Sequence, residues 1–165
     1  MTLFQRILLG GALICASTFT AQAQNIKAYN SDALNARLAS SNDTVYIVNY
    51  WATWCIPCVK ELPYFEKLAD KYKDKKVKVL LVNFDFKEQY PKAIANFISK
   101  KNIQSEVIWF SESRPNDYIP KIAPDWSGAL PATTFSVQKG KRKIFEEGEV
   151  DFEFLDKTVQ NLLKQ

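Results

Sequence analysis

Two cysteines three positions apart, Cys55 and Cys58, are the residues of this sequence that are best suited to do chemistry. A disulfide that closes so short a loop removes little entropy from the unfolded chain, so a purely structural bridge is a poor explanation. A zinc site is a poorer one, because two thiolates without any histidine leave the usual set of four ligands incomplete. Reversible dithiol–disulfide chemistry is the favoured interpretation, and a pair of inert core cysteines is the alternative.

The sequence contains no histidine, which excludes Ser-His-Asp hydrolysis, histidine-based zinc catalysis and CxxCH haem attachment. Its 165 residues suffice for one domain, and its 47% hydrophobic content suffices for a packed core. A formal charge of +4, from 22 basic and 18 acidic residues, is mild, so we expect no nucleic-acid partner. Dithiol chemistry needs no metal or organic cofactor, and we expect none.

Residues 1–23 are typical of a secretory signal peptide that is removed from the mature protein. One basic side chain precedes the apolar run from Ile7 to Phe19, which as a helix would reach only about 20 Å, less than the ~30 Å hydrocarbon core of a bilayer. Ala21-Gln22-Ala23 then has the small-x-small pattern that a signal peptidase accepts. We therefore predict export to the periplasm and a mature domain, 24–165, that begins at Gln24. The alternatives are an uncleaved anchor and a lipoprotein modified at Cys15.

The cysteine pair must be positioned by the elements around it. Thr44–Trp51 is β-branched and aromatic, which predicts a buried strand just before Cys55. Apolar residues at helical spacing predict a helix after Cys58, and Pro63 within it should produce a kink. The other expected elements are a helix at Ser31–Ala39 with Ser31 as its N-cap, strands at Lys76–Phe84 and Ser105–Phe110, a helix at Pro91–Lys101, a hairpin of Thr133–Val137 and Lys143–Phe145, and a final helix at Asp151–Lys164. We expect Ser111–Leu130 to be irregular. This order predicts an α/β domain with helices packed on both faces of a mixed central sheet.

Two segments carry a resemblance to a known family. Trp51-Ala-Thr-Trp-Cys-Ile-Pro-Cys58, followed by Glu61-Leu62-Pro63, resembles the active-site segment of the thioredoxin superfamily, and is most similar to exported TlpA/ResA-like thiol-disulfide oxidoreductases. Trp126-Ser-Gly-Ala-Leu-Pro-Ala-Thr-Thr-Phe135 resembles the family segment that bears a cis-proline. The resemblance covers about residues 25–165 and implies the thioredoxin fold. Asn49, where thioredoxin has a buried aspartate, and the Ile-Pro pair between the cysteines depart from the thioredoxin pattern.

The residue types suggest a role for each member of the site. Helix N-termini carry a partial positive charge that favours a thiolate, so we expect Cys55 to be the exposed nucleophile and Cys58 the buried, resolving cysteine. Glu61 follows Cys58 by three residues, which places both on one helix face, where a buried carboxylate of raised pKa could take the thiol proton. The resemblance implies the same role, since ResA-like proteins carry an acid at this position. The alternative is an ordinary solvated glutamate in the first turn of a helix. Asn49 could hydrogen-bond nearby but cannot titrate.

The resemblance also implies a surface for the substrate. Pro131 corresponds to the cis-proline that packs beside the cysteines, and Leu130 would then expose backbone groups that pair with an extended substrate chain. We expect Trp51 to lie in the core and Trp54 to be partly exposed, shielding the site; packing alone is the alternative for both.

Together these features predict an exported thiol-disulfide oxidoreductase, acting as a monomer that reduces disulfides of substrate proteins. The resemblance implies a membrane electron donor of the DsbD/CcdA type and a setting in cytochrome c maturation or general disulfide reduction. Strong oxidants often carry a histidine between the cysteines, and its absence favours a reductant. A thiol peroxidase and a thioredoxin-fold binding or chaperone module with an idle dithiol are the alternatives.

Overall fold

The computed structural model describes residues 25–40 and 43–164. The expected signal peptide, with Cys15, and the expected new N-terminus Gln24 lie outside the described residues. Within the described residues, no helix combines the length and the apolar character that crossing a bilayer requires.

Six strands and five helices make up the described chain; the elements named from the sequence occur in the expected order, together with a short first strand and one additional helix. The elements are β1 (Lys27–Tyr29), α1 (Ser31–Ala39), β2 (Val45–Trp51), α2 (Ile56–Lys71), β3 (Val77–Asn83), a short 3-10 turn (Lys87–Gln89), α3 (Lys92–Lys101), β4 (Glu106–Phe110), α4 (Pro115–Ile122), β5 (Ala132–Val137), β6 (Arg142–Glu147) and α5 (Phe152–Leu163). The strands form a single sheet in the order β1-β4-β3-β2-β5-β6. The first four strands in this order, β1, β4, β3 and β2, run parallel to one another. Strand β5 is antiparallel to β2, and β6 is antiparallel to β5. The predicted mixed α/β sheet is therefore confirmed.

The central strand β2 is buried along its whole length and divides the core into two layers. Successive side chains of a strand point to opposite faces. Ile47 and Trp51 pack with the apolar stripes of α2, α3 and α5, whereas Val48 and Tyr50 pack with those of α1 and α4. Helices therefore cover both faces of the sheet, as expected. Asn49 is two residues from Ile47 and two from Trp51, so its side chain points to the same face of the sheet as theirs, the face that α2 covers.

The N-cap of α1 is Asn30, and our assignment of Ser31 to that position was wrong. Asn30 has an extended backbone, and its side chain accepts a hydrogen bond from the backbone N–H of Ala33 at 2.8 Å. Ser31 is the first helical residue and is fully buried, with its N–H and its hydroxyl both donating to Glu112 Oε1. Both residue types are good caps, and the distant carboxylate decides between them.

The segment Ser111–Leu130 is not wholly irregular as expected, because it contains α4. Pro115 stands at the start of this helix, where a missing N–H costs nothing, and Pro120 lies within it. Tyr118 and Ile122 are buried and pack against the sheet. Tertiary packing of this apolar stripe therefore overrides the low helix propensity of Pro120.

Candidate active site

The two cysteines lie at the junction between β2 and α2 and are joined by a disulfide, with their Cα atoms 5.3 Å apart. Cys55 has an extended backbone and is the N-cap of α2. Its Sγ accepts a hydrogen bond from the backbone N–H of Cys58 at 3.3 Å. Free N–H groups and the positive end of the helix dipole therefore face Cys55 Sγ, as the sequence predicted.

The exposure of the cysteines differs from the expectation in one respect. Cys58 is fully buried, as predicted, but Cys55 is also buried, with only 6% of its surface exposed. The prediction that Cys55 is exposed is therefore wrong for this disulfide form. Cys55 Sγ is bonded to Cys58 and caps the helix, and both residues belong to the cluster of buried side chains between α2 and the sheet.

Glu61 is a buried carboxyl group on α2, with 1% of its surface exposed, so the alternative of a solvated glutamate is excluded. Asn49 Nδ2 donates to its Oε1 at 2.7 Å, and the backbone N–H of Val150 donates to its Oε2 at 2.9 Å. Asn49 thus makes a hydrogen bond to the site that its position allows. The strand, the helix and the segment before α5 all meet at this carboxyl group.

Burial raises the pKa of Glu61 to about 7, because the charged form loses its hydration. The hydrogen bonds from Val150 and Asn49 favour the charged form and oppose this rise, whereas the nearby charge of Glu149 adds to it. Near neutral pH, Glu61 can therefore both accept and release a proton. This is the property that general acid–base catalysis requires.

The peptide bond between Leu130 and Pro131 is cis, as the resemblance implied. Pro131 is buried at the start of β5, and its carbonyl accepts a hydrogen bond from Gly148 N–H at 2.9 Å. Leu130 packs against the buried cluster that contains both cysteines. Leu130 also packs against the buried cluster on the face that α1 and α4 cover, so this segment contacts both layers of the core.

The side chains around the disulfide are apolar and exposed. Trp54 is 52% exposed and Ile56, between the cysteines, is 78% exposed. Phe86 is 67% exposed, and its ring stacks on that of Trp54 with centroids 6.1 Å apart. Trp51 is instead fully buried, so the expected division between the two tryptophans is confirmed.

Comparison with known proteins identifies the family of this chain. Residues 18–141 match the family model described as AhpC/TSA family. This chain belongs to the AhpC/TSA family. Over 118 residues it is 38% identical to the thiol-disulfide oxidoreductase ResA of Bacillus cereus; the match covers 70% of this chain but only 61%, less than two thirds, of that relative.

Solved structures of related proteins share the fold. The thioredoxin-related protein from Neisseria meningitidis serogroup B has a TM-score of 0.64 and 26% identity, over 76% of this chain and 90% of that one. StoA from Bacillus subtilis has a TM-score of 0.57 and 22% identity, over 73% of this chain and 85% of that one. The fold of this AhpC/TSA-family chain is therefore thioredoxin-like, which confirms the α/β class and the fold implied by the resemblance.

Sequence reasoning missed one carboxyl group of this AhpC/TSA-family site. Asp85 follows β3 and is 3% exposed; its Oδ1 accepts a hydrogen bond at 2.7 Å from the N–H of Thr53, two residues before Cys55. The Trp109 indole N–H also donates to the Asp85 carbonyl at 2.8 Å. Asp85 thus fixes the turn before Cys55. Its place at the carboxyl end of the strand parallel to β2 was the available signal, because those ends meet at one edge of the sheet.

Metal coordination by the described residues has no candidate: none of their Cys, Asp and Glu side chains gather in groups of three or more that could hold an ion. The arrangement can instead perform thiol chemistry. A disulfide at a helix N-terminus, a buried carboxyl group on the same helix and an apolar exposed rim are brought together within one end of the sheet.

Proposed function

We propose that this chain is an exported thiol-disulfide oxidoreductase that reduces disulfides of protein substrates through Cys55 and Cys58. The observation that carries the proposal is the disulfide at the first turn of α2 together with buried Glu61 on the same helix. The name of the Bacillus cereus relative supports the reaction class. Export and the periplasmic location rest on the signal-like residues 1–23.

The reaction begins from the dithiol form. The Cys55 thiolate attacks one sulfur of the substrate disulfide; the substrate S–S bond breaks, the other substrate sulfur leaves as a thiolate that takes up a proton, and a mixed disulfide forms. Cys58 then attacks Cys55 Sγ, which breaks the mixed disulfide and releases the second substrate sulfur. The substrate disulfide has then been reduced by two electrons, and the two cysteines of the enzyme have been oxidised to the Cys55–Cys58 disulfide.

Glu61 supplies the proton transfer that the second step requires. Cys58 is fully buried, so its thiol needs an acceptor inside the protein before it can attack. Glu61 has a pKa of about 7 and lies one helical turn from Cys58 on α2. In its ionised form it takes the Cys58 proton, and in its protonated form it returns a proton to the released sulfur.

Turnover also requires a source of electrons, for which we propose a membrane donor of the DsbD/CcdA type. Cytochrome c maturation or general disulfide reduction is the proposed setting. Because no histidine separates the cysteines, the Cys55–Cys58 couple should be reducing, with a potential below about −200 mV, nearer to thioredoxin at about −270 mV than to DsbA at about −120 mV. Equilibration with glutathione and dithiothreitol buffers measures it. A value above about −150 mV would make this protein a disulfide-forming oxidant.

Reduction of insulin disulfides by the mature protein tests the reaction itself. The unmodified protein should accelerate reduction by dithiothreitol, Cys55→Ser should abolish the acceleration, and Cys58→Ser should accumulate a mixed disulfide with the substrate. Full activity in Cys55→Ser would favour a binding or chaperone module. Consumption of hydrogen peroxide that outpaces disulfide reduction would favour a thiol peroxidase.

A further inference from the structure

A groove of about 720 Å³ opens beside the disulfide. Its lining includes Trp54, which directly precedes Cys55, and Leu130, which directly precedes the cis Pro131. These are the two segments expected to contact a substrate chain on either side of the reacting sulfur. A substrate segment bound there would extend into the groove.

The groove is rich in aromatic rings. Six of them line it: Trp54, Phe84, Phe86, Trp109, Phe110 and Tyr118. Several of these rings pack on one another, as in the stacked pair Phe84 and Phe110, whose centroids are 4.6 Å apart. Such walls accept an aliphatic stem by apolar contact, and the faces of aromatic rings attract cations.

Two carboxyl groups of the groove each have a buried oxygen that accepts no hydrogen bond from the described residues. Asp85 Oδ1 is engaged by Thr53 N–H, but its Oδ2 has no donor, although the residue is only 3% exposed. Glu112 Oε1 is engaged by Ser31, and its Oε2 likewise has no donor. Buried oxygens are nearly always hydrogen-bonded in proteins, so these two unpartnered oxygens favour an occupant of the groove that donates hydrogen bonds over one that accepts them.

The cations near these carboxyl groups do not satisfy them. Lys87 lines the groove but is exposed, and it is in none of the ion pairs of the described residues. Lys121 interacts electrostatically with Glu112, but its ammonium group is paired with Asp32 at 3.0 Å. The groove therefore presents two carboxyl groups against one exposed lysine, which disfavours an acidic occupant.

We propose that this groove binds a lysine or arginine side chain that neighbours the reactive cysteine of a substrate protein. The aromatic walls hold its aliphatic stem, and Glu112 and Asp85 accept hydrogen bonds from its cationic head. This inference rests on the proposed function and specifies the substrate class: disulfides flanked by a basic residue.

Three disulfide-bridged peptides that differ at one position beside a cysteine, carrying Lys, Leu or Glu there, test the preference. Single-turnover reduction by the fully reduced mature protein gives kcat/KM for each. We expect the Lys peptide to react about tenfold faster than the Leu peptide, with the Glu peptide slowest, and the difference to shrink at high salt. Equal rates for the three peptides would overturn the inference while leaving the proposed function intact. Failure to reduce these peptides and 2-hydroxyethyl disulfide alike would overturn both.

Glu112→Gln assigns the preference to the groove. The readout is the ratio of the Lys rate to the Glu rate, which a uniform loss of activity does not change. We expect the ratio to fall several-fold in Glu112→Gln and to stay unchanged in the control Glu153→Gln, which removes an exposed carboxylate of α5 outside the groove. An unchanged ratio in Glu112→Gln would contradict the assignment of the site.

Discussion

The active-site disulfide has two unlike sides. On its inner side, Glu61 and Asn49 form a hydrogen-bonded pair that is closed to water. On its outer side lie three exposed apolar side chains, those of Trp54, Ile56 and Phe86, and the rings of Trp54 and Phe86 stack on each other. Proton transfer gains from an environment that shifts a pKa, whereas recognition of different proteins gains from exposed apolar surface. Substitutions on the inner side should therefore change pH dependence and stability, and those on the outer side should change substrate binding.

Among substitutions around the disulfide, the largest effect should come from Glu61→Gln, which removes the ionisable carboxyl group and keeps the shape. If Glu61 acts as general base for Cys58, disulfide turnover should fall about 10²–10⁴-fold. In the unmodified protein the rate should rise as the pH passes about 7, where Glu61 ionises, and this rise should disappear in the variant. Stopped-flow insulin or peptide reduction across the pH range measures both quantities.

A carboxylate on the exposed side of the same helix provides the control. Asp70→Asn changes the charge of α2 equally, but Asp70 is exposed and pairs with Lys73 at the surface. Its turnover and pH profile should match those of the unmodified protein. A Glu61→Gln variant with the same profile would remove Glu61 from the mechanism.

The same carboxyl group should make stability fall as the pH rises. The pKa of Glu61 is about 7 in the folded chain against 4.5 for a free glutamate, so the folded state holds this proton more tightly than the unfolded state does. The stabilisation is present at low pH and is lost between about 4.5 and 7. Between pH 5 and pH 8 the unmodified protein should lose about 2–3 kcal/mol of unfolding free energy more than Glu61→Gln does. Urea denaturation of the disulfide form at both pH values measures the difference, and parallel pH curves for the two proteins would contradict it.

Asn49→Ala should produce a smaller, pH-dependent loss. The hydrogen bond from Asn49 Nδ2 favours ionised Glu61, so its removal should raise the pKa of Glu61 further and delay the rise of turnover with pH. At pH 8 the variant should lose about 2 kcal/mol of stability, the value of a hydrogen bond to a charged group, and less at pH 5. A double-mutant cycle with Glu61→Gln isolates the pair. The pH-dependent part of the loss caused by Asn49→Ala should vanish when position 61 is glutamine and cannot ionise. A loss that is equal at both pH values would mean that Asn49 only fills space.

Contacts within one element of the site were more predictable from the sequence than contacts between distant elements. Cys58 and Glu61 are three residues apart on one helix, so local periodicity already places them together. The contact between Glu61 and Val150 spans 89 residues, and that between Ser31 and Glu112 spans 81, so neither has a local signal. The strands of the sheet were predictable because apolar runs report burial, but their neighbours are set by long-range pairing.

The smallest effect on the fold should come from the outer side, with Trp54→Ala. Trp54 is 52% exposed and stacks mainly on Phe86, so unfolding free energy should change by no more than about 0.5 kcal/mol. Trp51→Ala, three residues earlier, is the matched contrast: its ring is fully buried, and its loss should cost about 3–5 kcal/mol. In disulfide reduction, Trp54→Ala should raise KM for insulin several-fold more than KM for 2-hydroxyethyl disulfide, because a small disulfide cannot span the apolar rim. Equal changes in the two KM values would show that Trp54 shields the cysteines without contacting the substrate, and the division between an inner chemical side and an outer binding side would then fail at its most exposed aromatic residue.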